Sequence, residues 1–145
     1  AGEIRLLILL LKPNLAIPSW GGILIFLALL PGALVLYFLI NYLFGLLGFW
    51  TPEVWAPRFL LFVLLNFVAG NMFPLDVLPS LIVKVVSLTP FPYLIYYPVQ
   101  VLLGKLAASE IGMTIAITYA WIGTMYLIVK LVWSKGLKSY GAEGN

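Results

Sequence analysis

Residues 85–104 read VVSLTPFPYLIYYPVQVLLG. The stretch carries no charge and is long enough to cross a bilayer, which takes about 20 apolar residues. It also holds Pro90, Pro92 and Pro98. Each proline lacks a backbone N–H and disfavours helix in the residue before it. In lipid, such breaks leave polar backbone groups unpaired, and irregular backbone survives at membrane depth only inside protein or beside a cavity. The pattern therefore predicts a re-entrant helical pair over about 76–104, which dips in and returns to the side it came from. Pro79 opens the first helix, with Leu81 to Val86. The second starts after Pro92 and carries Tyr93, Tyr96 and Tyr97. The alternative, a true span, would place the C-terminal tail on the opposite face.

Working outward, the charge gaps set the remaining elements. The chain has 145 residues, 63% hydrophobic and 9% charged, against about 25% charged in soluble domains. Too few polar side chains exist to coat a soluble core, so the chain is read as an all-α integral membrane protein forming a single transmembrane domain. From Pro13 to Pro52 there is no charge, and Trp20 to Trp50 is the apolar heart of that gap. As one helix it would run about 46 Å, long for one crossing and short for two. Pro31–Gly32 near its middle predicts one tilted or kinked span over about 20–50, with Trp20, Trp50 and Trp55 in the headgroup belts. A second span is expected over about 57–73 and a third over about 109–133, followed by a polar tail in water. Leu6 to Leu11 is apolar but short. It is read as an N-terminal stump of a further span, with an interfacial segment as the alternative.

This arrangement puts the Thr51–Arg58 loop on the same side as the tail. Arg58, Lys130, Lys135 and Lys138 then face Lys12, Lys84 and Lys105 across the membrane, and the positive-inside rule favours a cytoplasmic C-terminus.

The search for chemistry is mostly negative. The chain has no histidine and no cysteine, which removes the commonest general base and any thiolate. Gly104–Lys105 is followed by Leu106 and lacks the P-loop spacing. Glu3, Glu53, Asp76, Glu110 and Glu143 are far apart in the sequence. No metal site, cofactor or catalytic residue is expected, and an enzyme is not. The net charge of +3 is scattered, against the focused basic patch that nucleic acid requires. Asn41, Asn66 and Asn71 are the carboxamides within the spans, read as helix–helix hydrogen bonding or as the lining of a substrate path. Ala108, Gly112, Ala116, Ala120 and Thr124 recur every four residues. They predict a packed helix face, away from Ile115, Tyr119, Ile122 and Tyr126. Trp121 and Trp133 are read as lipid or belt anchors.

Several separated motifs share one order: Phe49–Trp50–Thr51–Pro52–Glu53–Val54–Trp55, then residues 70–79 (GNMFPLDVLP), then Leu88–Thr89–Pro90–Phe91–Pro92–Tyr93. Tyr97–Pro98, Gly104–Lys105 and the tail residues Trp133, Lys135, Gly136, Lys138 and Tyr140 follow. Over roughly residues 18–140 the sequence resembles the permease subunits of ABC-2-type transporters. The resemblance implies a six-span half-transporter, of which this chain would hold spans four to six and the end of the third. It implies a separate ABC ATPase subunit, a second permease subunit and export across a bacterial inner membrane. It further implies that Pro74, Pro79, Pro90, Pro92 and Pro98 shape an external re-entrant gate, and that Glu53 and Arg58 lie on the ATPase-side loop. The rival reading is a small oligomeric channel or structural membrane protein without ATP coupling.

Overall fold

The computed structural model describes residues 18–142, and over these it is helical without a strand. The stump at Leu6–Leu11 lies outside the described residues. Five α-helices follow one another: α1 (Trp20–Leu46), α2 (Trp55–Phe67), α3 (Ser80–Ser87), α4 (Tyr96–Leu102) and α5 (Ala108–Ala142). Short 3-10 turns at Leu47–Phe49, Leu75–Val77 and Phe91–Tyr93 lie between them.

α1 begins where Ser19 accepts the Gly22 N–H at 3.0 Å, an N-cap that satisfies one of the otherwise orphaned first-turn donors. It continues through Pro31 without a break, and with the 3-10 turn it reaches Phe49. α5 starts with half of a capping box: the Glu110 carboxylate accepts the Ala107 N–H at 2.7 Å. Both helices are long and apolar enough to cross a membrane. The polar residues expected as a tail remain helical to Ala142, and Gly136 within them packs against the ring of Phe49. Trp133 lies edge-on to the same ring, centroids 5.6 Å apart.

α1 and α5 run parallel. Gly32 faces Thr118, Tyr119 and Ile122, and further along Phe49 faces Gly136. The connection at 50–54 and the C-terminal end of α5 therefore share one end of the bundle, here the tail end. Both helices start at the other, the head end. Trp20 is exposed at the head end, and Trp50 and Trp55 are exposed at the tail end.

α2 has 13 residues, about 20 Å of helix, against about 30 Å of hydrocarbon. It stops at Phe67, inside the expected 57–73 span. α2 returns from the tail end to the middle of the bundle, and α3 with α4 fill the head half. Leu36, Ile40, Leu61, Tyr93 and Leu94 meet in the core that joins the two halves. A second cluster, Leu39, Leu46 and Val129, ties α1 to α5 toward the tail.

Candidate functional site

The segment between Ala69 and Lys105 is built from interruptions, each with a local cause. Past α2, the Val68 and Ala69 N–H groups both reach Leu64 O, at 2.8 and 3.2 Å. The Asn66 side chain donates to Phe62 O at 2.7 Å and accepts from Asn71 Nδ2 at 3.1 Å. Asn66 and Asn71 are thus brought together, closing the end of their own segment rather than bridging two helices. Gly70 has φ +82°, and a Cβ there would lie 3.1 Å from Tyr96 Cβ. This close approach lets the Tyr96 N–H donate to Ala69 O at 3.2 Å.

Asp76 then fastens the two limbs of the segment. Its carboxylate accepts the Tyr96 hydroxyl on one oxygen and Gln100 Nε2, at 3.4 Å, on the other. Gln100 is buried, so this contact supplies a partner that water cannot. α3 and the following 91–102 stretch meet at an 80° bend, bridged by Ser87 Oγ and Tyr97 Oη at 2.9 Å. Tyr93 donates to Ser87 O at 3.2 Å and stacks on Tyr97 at 4.7 Å. Pro90 and Pro92 are buried at this bend, Pro98 is buried in the first turn of α4, and Pro74 and Pro79 are exposed before the Leu75–Val77 turn and α3. α4 ends in a Schellman motif, with Gly104 at φ +67° and Lys105 N–H on Gln100 O at 3.0 Å.

Both limbs of the segment meet through Asp76, while its bend packs into the core beside Leu36 and Leu61. Val101 and Leu102 return to the head end, where their carbonyls lie against Gly22. Residues 70–76 thus run beside α4. A cavity of about 310 Å³ opens there, lined by Asn71, Asp76, Tyr96, Gln100 and Lys105 among others.

A different cavity, of about 430 Å³, lies between α1 and α2. Tyr37, Asn41 and Phe44 form one wall, and Arg58, Leu61, Phe62 and Leu65 the other. Asn41 Nδ2 donates to Tyr37 O at 2.9 Å. Thus Asn41 and Arg58 share a cavity, and neither Asn66 nor Asn71 lines it. Glu53 is exposed on the connection, its N–H on Thr51 Oγ1 at 3.3 Å.

The sequence profile of the ABC-2 family transporter proteins matches residues 5–144. The chain belongs to this family. No curated protein and no solved structure matches it. It is a multi-pass membrane protein and the membrane permease component of an ABC transporter.

The small-residue stripe of α5 is not the face turned to α1. Ala108, Gly112, Ala116, Ala120 and Thr124 are exposed, and a Cβ on Gly112 would meet nothing within 4 Å. The face of α5 turned to α1 is instead Thr114, Thr118, Ile122, Met125 and Val129. The threonines can be buried because each hydroxyl donates at 2.8 Å to a carbonyl one turn back, at Glu110 and Thr114. The Thr118 methyl is what α1 meets at Gly32. Ile122, expected on the far side, lies in the contact. Trp121 packs on the core, and Trp133 joins Phe49 and Tyr42.

Asp76, Tyr96 and Gln100 were not singled out as a group in the sequence. The available signal was Gln100, the one carboxamide in residues 85–104. A lone amide in an apolar stretch requires a partner, but sequence distance does not point to Asp76, since Glu110 lies nearer to Gln100.

Proposed function

We propose that the chain works as the permease part of an exporter, paired with a second permease and driven by a separate ATPase subunit. The observation that carries this reading is the proline-broken segment whose two limbs are fastened to each other at the head end by Asp76. Such backbone is tolerated at membrane depth only beside protein or a water-filled path, which suits a gate. Pro74, Pro79, Pro90, Pro92 and Pro98 shape that gate. Asn41 lies on the tail-end half of the path, whereas Asn66 and Asn71 hold the end of α2 beneath the gate.

The chain crosses three times in this reading. α2 and the turn over 68–73 make the second crossing, with the shortfall in helix length met by neighbouring protein or local thinning. The tail end is cytoplasmic and the membrane is a bacterial inner membrane. Arg58, Lys130, Lys135 and Lys138 at that end agree with the positive-inside rule. Glu53 and Arg58 then lie on the ATPase side, and the exposed Ala108–Gly112–Ala116–Ala120 stripe offers a close approach to another helix of the assembly.

Two measurements test this. Single cysteines at Lys84 and Lys138 should be labelled from opposite sides of sealed vesicles; labelling from one side overturns the topology. The purified chain should capture an ATPase subunit and raise its ATP turnover in liposomes. Ion conductance by the chain alone, without such stimulation, would replace the permease reading with a channel.

A further inference from the structure

The cavity between α1 and α2 has features beyond the roles the transport reading gives to Asn41 and Arg58. Its volume of about 430 Å³ falls within the roughly 300–1,000 Å³ of small-molecule sites. Phe44, Leu61, Phe62 and Leu65 give it apolar walls, and the polar groups are confined to Tyr37, Asn41 and Arg58. Tyr37 and Phe62 are both about half exposed, so the cavity opens sideways from the bundle rather than along its axis.

Arg58 stands one turn into α2 after Trp55, an exposed aromatic at the tail end that stacks on Phe59 at 5.5 Å. Aromatic side chains of this kind sit at headgroup level. The guanidinium is therefore at the depth of lipid phosphates while the walls beyond it are at the depth of acyl chains. None of the seven lining residues is acidic. The same end carries Lys130, Lys135 and Lys138 against Glu53, and basic residues beside a membrane favour anionic over zwitterionic lipid. Arg is also the side chain best suited to fork onto phosphate oxygens.

We propose that this cavity is a site for an anionic phospholipid of the tail-end leaflet. One acyl chain lies along Phe44, Leu61 and Leu65, and the phosphate sits on Arg58. Occupancy is a property of the α1–α2 pair and does not depend on an ATPase or on transport.

The test uses the full chain in phosphatidylcholine vesicles doped with phosphatidylglycerol bearing a diazirine in its acyl chain. After illumination, peptide mapping should place the label on residues 37–44 and 58–65. Arg58→Gln should lower that labelling about tenfold, the change expected for losing one charge-assisted contact. Lys84→Gln, which removes the same charge at the head end, should leave it unchanged. A diazirine phosphatidylcholine should label the cavity less than the phosphatidylglycerol probe does. Label spread evenly over the outer faces of α1 and α5 would overturn the proposal. So would equal labelling in Arg58→Gln and the unaltered chain, or an unlabelled cavity, as expected where another helix or a second copy fills it.

Discussion

The α1–α5 pair and the segment from Ala69 to Lys105 face one physical problem, which is keeping backbone polar groups paired away from water, and they meet it differently. In α1 and α5 the backbone pairs with itself over 27 and 35 residues, and the helices need only fit each other. Gly32 against Thr118 and Gly136 against Phe49 are contacts of shape. In the broken segment no α-helix exceeds eight residues, so turn bonds such as Leu78 N–H on Leu75 O and Tyr96 N–H on Ala69 O pair the backbone. The pieces are then tied together by side chains, through Asn66, Asp76, Ser87, Tyr93, Tyr96, Tyr97 and Gln100. A segment held this way opens by breaking a few directional bonds, whereas the α1–α5 pair opens only by losing its packing. That difference is what suits the segment to move while the pair stays fixed.

The comparison is tested most severely where the regions join. Leu36 is fully buried among Ile40, Leu61, Tyr93 and Leu94. Leu36→Ala should cost about 2–5 kcal/mol, read from unfolding in mixed micelles by tryptophan fluorescence. The loss should appear in one cooperative transition. Two separated transitions would mean that the halves unfold independently and share no core.

Gly70 gives the next largest effect. At φ +82° a side chain costs about 1–2 kcal/mol, and Tyr96 Cβ at 3.1 Å adds overpacking of about 1–3 kcal/mol. Gly70→Ala should therefore destabilise by about 2–5 kcal/mol. Gly112→Ala is the internal control: it points into open space on a helix and should be neutral or stabilising by about 0.5–1 kcal/mol. Equal losses at both positions would remove the special status given to the turn after α2.

How much of this was legible in the sequence follows the same division. The bodies of α1 and α5 could be read from charge gaps, since a long uncharged run has few ways to satisfy its backbone in lipid. The proline-broken segment could be read too, because proline acts on its immediate neighbours. What could not be read was anything decided by a partner distant in the chain. Asp76 and Gln100 are 24 residues apart, and nothing local to either marks the other. That the small-residue stripe faces away from α1 could not be read for a related reason. Spacing of four residues shows that Ala108 to Ala120 share a face but not which face the neighbour occupies, and the threonine face competes for it. Threonine looks polar in sequence, yet with its hydroxyl bonded to its own helix it presents only a methyl. Asn41 and Arg58 lie on different helices, and only the packing of α2 against α1 places them on one cavity.

Asp76→Ala asks whether the side-chain bonds hold the segment. The change leaves the buried Gln100 amide without its carboxylate, a loss of about 1–3 kcal/mol. The loss should be local: amide exchange over 96–102 should accelerate while the α1–α5 amides stay protected. Uniform acceleration would mean that the segment and the pair form one cooperative unit, and a gate confined to the segment would be untenable.

The smallest effect falls on the α1–α5 contact and discriminates most finely. Thr118 is buried against Gly32, its Cγ2 3.5 Å from where a Gly32 Cβ would stand, while its Oγ1 donates to Thr114 O at 2.8 Å. If the pair is held by shape, the methyl matters and the hydroxyl does not, because the Thr114 carbonyl keeps its backbone partner within the helix. Thr118→Val retains the methyl and should change stability by no more than about 0.6 kcal/mol, the average worth of a hydrogen bond between membrane helices. Thr118→Ser retains the hydroxyl but opens a methyl-sized void, so it should cost more, about 1 kcal/mol. The order is the decisive result. A serine variant more stable than the valine variant would mean that the hydroxyl bond holds α5 in place, and the pair would then rest on polar contacts just as the broken segment does.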